Sequence, residues 1–204
     1  DEAYDFIKNK LEKIKKENGP DAIAGISSAR CTNEENYVFQ KMIRAVVGTN
    51  NIDCCARICH SPTAWGMQQT FGTGAATNST EDIYHADLFL VIGANPTNAH
   101  PVTGAKIKQQ VMKDKKLIVL DPITTDLAKL ADYHIRLRPG TNVAVLNMML
   151  YFIIKSKLYK EDFILSRTEG FENFVKGIEK LDIDHLAKVA GVDKQQVKEA
   201  AIAY

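Results

Sequence analysis

The stretch "DLFLVIGANPTN", residues 87–98, decides the fold, because an apolar run of strand length ends there in glycine and a polar turn. Two later stretches repeat the pattern, "KLIVLDP" at 116–122 and "YHIRLRPGTN" at 133–142. Each is followed by sequence of helical character: "HPVTGAKIKQQVMKD", "TTDLAKLA" and "TNVAVLNMMLYFIIKS". Strands that alternate with helices are typical of parallel sheets with right-handed crossovers. The sequence therefore predicts a doubly wound α/β fold, with a mostly parallel sheet and flanking helices.

The flanking sequence extends this prediction in both directions. Upstream, the spacing of apolar residues predicts an amphipathic helix at 3–17, a buried strand within "DAIAGISS" (21–28) and a helix from about 33 to 47 that Gly48 ends. Downstream of residue 158 the pattern is helical throughout. We therefore expect three parts: about 1–50 as part of a neighbouring α/β lobe, about 51–157 as the α/β core, and about 158–204 as a helical segment.

Composition and charge exclude several classes of protein. Hydrophobic residues make up 45% and charged residues 25% of the 204 positions, which is typical of globular proteins. A net charge of +1 argues against a nucleic-acid-binding protein. No apolar run reaches the roughly 18–20 residues of a membrane span. The acidic start "DEAYDFIKNK" is no signal peptide and lacks Met, so we expect a piece of a longer protein, cytoplasmic or periplasmic, with the cytoplasm favoured.

Polar and small residues follow each of the three apolar strands. In open α/β sheets, ligands bind at the carboxyl ends of the strands. Asp121 could bond a purine or a ribose, the glycines allow close approach, and Thr141 could cap a helix whose amides attract phosphate. Ordinary turn formation is the alternative explanation for any single turn. The candidate contacts are Gly93, Asn95, Asn98, Asp121, Pro122, Gly140, Thr141 and Asn142.

This pattern suggests a nucleotide-like ligand without specifying it. "GTGAAT", 72–77, is not the NAD fingerprint, because it lacks the third small residue and follows no apolar strand.

A second unusual segment is "NIDCCARICHSPTAWG", 51–66, which holds three of the four cysteines. A structural zinc site needs four ligands, usually as two spaced pairs, and no such spacing occurs here. A disulfide framework is equally disfavoured. Cys59 and His60 are adjacent, and a thiolate is a soft metal ligand while an imidazole can move protons near neutral pH. Arg57 and His60 are candidate cations beside the thiolate, and buried packing of Cys59 is the alternative.

Taken together, these segments closely resemble the catalytic (alpha) subunit of molybdenum- or tungsten-dependent formate dehydrogenase, in its cysteine-containing form, within the molybdopterin oxidoreductase superfamily. The resemblance covers nearly the whole chain in order. It rests on "SSARCTNEENYVFQK", "GTNNIDCCARICHSPT", "FGTGAATNS", "IGANPTNAHP", "LDP", "ADYHIRLRPGTNVAVLN" and "LSRTEGFE". It implies a cofactor-binding domain of the formate dehydrogenase/DMSO reductase type.

The resemblance also implies a cofactor and roles for particular residues. Cys59 would ligate the metal, molybdenum or tungsten, and His60 would be the catalytic histidine. A bis(molybdopterin guanine dinucleotide) cofactor would be held by the strand-end residues named above together with Arg30. Relatives often carry Arg after the Asp-Pro pair, where this chain has Ile123, so the binding mode at that point is left open. Cys54 and Cys55 have no metal role to transfer, and core packing is the better interpretation.

The implied reaction is the oxidation of formate to CO2, two electrons and a proton. Electrons would pass to a [4Fe-4S] cluster in the missing N-terminal part, and then to iron–sulfur, flavin or quinone-linked partner subunits. We expect the 204 residues alone to be inactive. Two other functions remain open: a nitrate reductase-like molybdopterin oxidoreductase, and a non-catalytic scaffold related to the large subunit of NADH dehydrogenase. The adjacent Cys-His pair favours formate dehydrogenase over both.

Overall fold

Three parallel strands form the sheet predicted from residues 87–142. In the computed structural model, which describes residues 1–204, β3 (Leu88–Ile92), β4 (Lys116–Leu120) and β5 (Tyr133–Ile135) lie side by side in that order. All pairs are parallel, and Ile92, Leu120 and Ile135 stand opposite one another in the register. The carboxyl ends of the strands therefore form one edge, and the predicted α/β sheet is confirmed.

The central strand β4 explains why the fold is doubly wound. Successive side chains of a strand point to opposite faces. Ile118 and Leu120 accordingly pack in the cluster built by the helices at 142–155, 183–190 and 194–203. Leu117 and Val119 pack in the cluster that includes Ile107, on the helix at 101–111. All four side chains are fully buried, as expected for a strand covered on both faces.

The helices of this part agree with the sequence patterns except for the short helix at 96–99, where a polar turn was predicted. They are α4 (Pro96–Ala99), α5 (Pro101–Val111), α6 (Asn142–Lys155), α7 (Glu161–Arg167), α8 (Phe171–Ile178), α9 (Ile183–Ala190) and α10 (Lys194–Ala203).

Two boundaries predicted in this part differ from the structure. The helix expected in "TTDLAKLA" is only a 3-10 turn at Ala128–Leu130. The connection is short because it buries Leu127 and because the Ala128 amide donates to the Thr125 hydroxyl. The strand expected at 133–140 ends at Ile135. Beyond it the chain turns away from the sheet, and the Arg138 amide donates to the Ala190 carbonyl instead of to a neighbouring strand.

The N-terminal part has less regular structure. It contains α1 (Glu2–Asn18), β1 (Gly25–Ser27), α2 (Asn33–Lys41), β2 (Ile52–Cys54) and α3 (Ser61–Phe71). A π-helical turn at Met42–Val47 extends α2 as far as Gly48, and β1 and β2 pair in parallel. Only Ile23, Ile43 and Val47 are buried in its hydrophobic cluster. The patterns predicted α1, β1 and α2, but missed β2 and α3, whose apolar periodicity is weak.

The chain divides into two compact units, Asp1–Thr77 and Asn78–Tyr204, called below the first and second unit. The cysteine segment lies in the first unit and the three strand ends lie in the second. The three-part organisation, with boundaries near 50 and 157, stays a prediction. None of the helices combines the length and the apolar character that a bilayer crossing requires.

Candidate functional site

The three turns that follow the strands of the second unit lie close together. The amide of Gly93 donates to the Leu120 carbonyl at 2.9 Å, and the amide of Asp121 donates to the Ile135 carbonyl at 3.3 Å. A Cβ added at Gly93 would lie 3.7 Å from Nδ2 of Asn142, so the third turn reaches the first. The structure thus brings Gly93, Asp121 and Asn142 together at one sheet edge, as the sequence predicted.

Asp121 is held firmly in the middle of this edge. Its side chain is 7% exposed, and Oδ1 accepts the backbone N–H of Ile123 at 2.9 Å. Its backbone carbonyl lies 3.1 Å from Nε2 of His134. A carboxylate so far from water requires hydrogen bonds, and the turn supplies one to Oδ1. Oδ2 remains for a donor of a ligand, while Pro122 is exposed.

The first turn contains buried polar atoms that have no partner. Oδ1 of Asn95 and Oγ1 of Thr97 are both buried without a hydrogen bond. Such atoms are rare in folded proteins and call for an explanation. A polar ligand at this edge would satisfy them. Asn95 was predicted as a contact; Thr97 was missed, although its position inside "GANPTN" was a usable signal. Asn98, on the same short helix, is exposed.

Gly104 holds this turn in place from the side of α5. A Cβ at Gly104 would lie 2.8 Å from the amide nitrogen of Thr97 and 2.9 Å from the carbonyl carbon of Pro96. Both of these are backbone atoms, so they cannot simply move aside. Only glycine lets α5 approach the turn this closely, and the positions of Asn95 and Thr97 therefore depend on it.

The third turn leaves room for a ligand. Gly140 has φ 83°, and a Cβ there would meet nothing within 4 Å. Thr141 stands at the N-cap of α6, but its hydroxyl donates to the Arg138 carbonyl at 2.6 Å and does not cap the helix. Thr141 is the N-cap residue of α6, as predicted, although its side chain makes no capping hydrogen bond. Free amides at a helix N-terminus suit phosphate.

Two arginines near this edge were not singled out from the sequence, where they read as strand residues. Arg138 donates to the carbonyls of Lys188 and Val189 at the end of α9, at 3.0 and 3.3 Å, and so ties the third turn to the helical layer. Arg136 follows β5 directly and donates only to the Pro122 carbonyl, at 3.4 Å. Its exposed guanidinium places a positive charge beside the Asp121 turn, where Ile123 offers none.

Cys59 and His60 lie in the first unit, between the 3-10 turn Cys55–Arg57 and α3. The amide of Cys59 donates to the Ala56 carbonyl at 3.2 Å, and the His60 carbonyl accepts the Ala64 amide at 2.7 Å in the first turn of α3. Both residues are exposed, so the alternative of buried packing was wrong for Cys59. The positive end of the α3 dipole lies beside them, which favours an anionic ligand there.

Arg57, which was suggested as a cation beside the Cys59 thiolate, pairs with an aspartate instead. Its Nε donates to Oδ2 of Asp53 at 2.6 Å. The hydrogen bond with Arg57 lowers the pKa of Asp53 and raises the pKa of Arg57, as for any close ion pair. Arg57 is therefore paired with a carboxylate, and of the two cations suggested for Cys59 only His60 is free of such a partner.

The Ser28–Arg30 turn meets the cysteine segment through the pairing of β1 with β2. The backbone N–H of Ala29 donates to Sγ of Cys55 at 3.3 Å, and the Arg30 side chain is exposed. Cys54 and Cys55 are half-buried and belong to no hydrophobic cluster, unlike the core packing expected of them. All four cysteines are free, and no group of three or more His, Cys, Asp or Glu side chains is arranged to hold a metal.

The sequence of this chain matches a known protein family and several curated relatives. Residues 1–196 match the family described as molybdopterin oxidoreductase. The chain is 43% identical over 204 residues to the F420-dependent formate dehydrogenase 1 subunit alpha of Methanococcus maripaludis, and 42% identical over 205 residues to formate dehydrogenase H of Escherichia coli. All of this chain is covered, but only 30% and 29% of those relatives.

The fold of this chain is also similar to that of a solved structure. Acetylene hydratase from Pelobacter acetylenicus superposes with a TM-score of 0.70 and 28% identity, over 100% of this chain and 27% of that one. At 41% to 45% identity, the formate dehydrogenase alpha subunits match the chain over essentially its whole length. The chain therefore belongs to the molybdopterin oxidoreductase family.

Proposed function

We propose that the longer protein to which this chain belongs oxidises formate to CO2, two electrons and a proton. The observation that carries the proposal is the exposed, adjacent pair of Cys59 and His60 at the start of α3. A thiol that can reach a metal and an imidazole that can take up a proton are there side by side. The names of the relatives, formate dehydrogenase subunits, support this choice of substrate.

The residues of both units fit a molybdopterin cofactor of the bis(guanine dinucleotide) form, with molybdenum or tungsten. In the second unit, the orphaned atoms of Asn95 and Thr97 and the second carboxylate oxygen of Asp121 suit a polar nucleotide. The open space at Gly140 and the amides of α6 suit a phosphate. The residues that would hold the cofactor are Arg30, Gly93, Asn95, Asn98, Asp121, Pro122, Gly140, Thr141 and Asn142, with Cys59 on the metal.

Each reactive side chain has a distinct task in this proposal. When bound, the metal of the cofactor would accept the two electrons that formate loses. Cys59 holds the metal through its thiolate, a soft ligand suited to such metals. His60 would orient formate by a hydrogen bond or take up the proton released on oxidation through its imidazole. A [4Fe-4S] cluster elsewhere in the protein would supply the route for the electrons to iron–sulfur, flavin or quinone-linked subunits.

The test uses the full-length protein, purified without oxygen from a host that makes the cofactor. Formate-dependent dye reduction and metal content are measured on the same sample. Cys59→Ser should lower turnover by more than about a hundredfold, because even groups that only support a metal ligand are worth about 10- to 100-fold. Cys31→Ser removes the other exposed cysteine of this unit and is the matched control, with turnover unchanged.

Other outcomes would contradict the proposal in different ways. Metal without formate turnover would assign another substrate within the family, such as nitrate. Unchanged activity of the assembled complex in Cys59→Ser would point to a non-catalytic scaffold.

A further inference from the structure

Cys54 and Cys55 form a pair of thiols that the proposed function does not use. Their sulfur atoms lie 4.0 Å apart at the end of β2, and both side chains are half-buried and free. Cys55 also contacts the neighbouring strand end, since the backbone N–H of Ala29 donates to its Sγ at 3.3 Å. The pair is thus accessible to small molecules and connected to the Ser28–Arg30 turn.

The surroundings of Cys55 favour its thiolate. The hydrogen bond from the Ala29 amide is the largest influence and lowers the pKa of Cys55. Partial burial opposes it, while the thiol of Cys54, the Ser28 side chain and the charge of Arg30 lower the pKa further. The thiolate is the reactive form of cysteine, so the same contacts that hold Cys55 in place also prepare it for attack on an electrophile.

We propose that Cys55 is a modification site for small-molecule disulfides, with Cys54 as the resolving thiol. The Cys55 thiolate attacks one sulfur of a disulfide R–S–S–R, the S–S bond breaks, and a mixed disulfide forms as one thiolate RS⁻ leaves. Cys54 loses its proton to water and attacks the Cys55 sulfur. The Cys54–Cys55 bond forms and the second RS⁻ leaves, so R–S–S–R is reduced to two thiols while the cysteine pair is oxidised.

Modification at Cys55 has a structural consequence. A sulfur bound in a disulfide is a poorer acceptor than a thiolate, so the bond from Ala29 is lost or weakened and the Ser28–Arg30 turn is released. Adjacent Cα atoms are about 3.8 Å apart, closer than in ordinary disulfides, so the Cys54–Cys55 bond is strained and readily reduced. The pair therefore acts reversibly, and its chemistry does not depend on the proposed formate oxidation.

The test follows each cysteine separately. Full-length protein is treated with glutathione disulfide, and the cysteine-containing peptides are quantified by mass spectrometry over time. Cys55 should acquire glutathione about threefold or more faster than the exposed Cys31, because a gain in thiolate fraction is only partly offset by lower nucleophilicity. The adduct should then convert to a species that has lost two hydrogens between Cys54 and Cys55, and added thiol should reverse it.

Variants separate the roles of the two cysteines and of Arg30. In Cys54→Ser the glutathione adduct should stay on Cys55, since no resolving thiol remains. Arg30→Gln should slow modification of Cys55, whereas Arg44→Gln, an exposed arginine of the same unit, should not. The proposal is overturned if Cys31 reacts as fast as Cys55, if Cys54 is modified first, or if no adduct accumulates in Cys54→Ser.

Discussion

The two units of this chain differ sharply in how well they are packed. In the second unit, four consecutive side chains of β4 are fully buried between helices on both faces. The hydrophobic cluster of the first unit has only three buried members, and its sheet consists of two strands of three residues. The strand-end turns therefore rest on a rigid support, whereas Cys59 and His60 stand on a thinly packed one.

This difference teaches how the two groups of candidate residues, one in each unit, are held. Turns that follow a buried sheet already have their bound positions before a ligand arrives. This favours binding, because little conformational entropy is lost in ordering the turns. The segment around Cys59 exposes large apolar side chains, Ile58 at 90% and Trp65 at 69%. The segment that carries the proposed metal ligand therefore has little packing of its own within the first unit.

The difference in packing between the two units is tested most directly by truncating one core side chain in each of them. Leu120→Ala, at a site with 0% exposure, should lower the free energy of unfolding of the second unit by about 3–4 kcal/mol. Ile43→Ala, at 3% exposure, should cost the first unit only about 2 kcal/mol, because its small cluster can collapse around the lost atoms. Hydrogen exchange measured peptide by peptide reports on each unit. Equal losses of unfolding free energy in the two units would show that the difference in packing does not affect their stability.

A smaller effect is expected from a single methyl group at Gly104. Gly104→Ala would force the new Cβ against the backbone of Pro96 and Thr97, at a cost of about 2 kcal/mol, and would displace the Asn95 turn. Gly177→Ala on α8 is the matched control, because nothing lies within 4 Å of its Cβ and alanine there should stabilise by about 0.5–1 kcal/mol. Thermal unfolding and cofactor content of the full-length protein measure both. A neutral Gly104→Ala would mean that the turn is not rigidly supported.

The smallest effect concerns pH and a carboxylate at the start of the sheet. The amide of Leu117 and the ammonium of Lys116 bond the two oxygens of Asp132, each at 2.9 Å, and lower its pKa. A carboxylate whose pKa is lowered by folding stabilises the protein above its unfolded pKa of about 3.9, and this stability is lost as the pH falls through the lower, folded value.

Asp132→Asn should therefore reduce stability at pH 6 by about 1 kcal/mol or less, and the difference from the unmodified protein should shrink below about pH 4. Urea unfolding at several pH values measures it. Glu169→Gln, at an exposed carboxylate that lies outside the helices and has no ion pair, is the control and should leave the difference between pH values unchanged. A difference that grows on acidification would contradict the assignment.

The sequence determined the three strands of the second unit and the polar turns that follow them, since these follow from apolar periodicity and from the local preferences of Gly, Pro, Asn and Asp. It also singled out Cys59 and His60 as candidate site residues, because the order of motifs resembles one family. It did not reveal α3, whose first turn contains proline and whose apolar spacing is weak. Nor did it show that Arg57 would pair with Asp53, although the two are four residues apart.

Only the tertiary structure decided which groups have partners and which do not. The unpaired atoms of Asn95 and Thr97, the position of Arg136 beside Pro122, and the bond from Ala29 to Cys55 all depend on elements distant in sequence. Hydrogen bonding and burial are set by whatever packs against a residue in space, and a local pattern carries no information about that neighbour. The sequence therefore determined where the candidate functional residues lie along the chain, and the packing of the elements decided what each of them contacts.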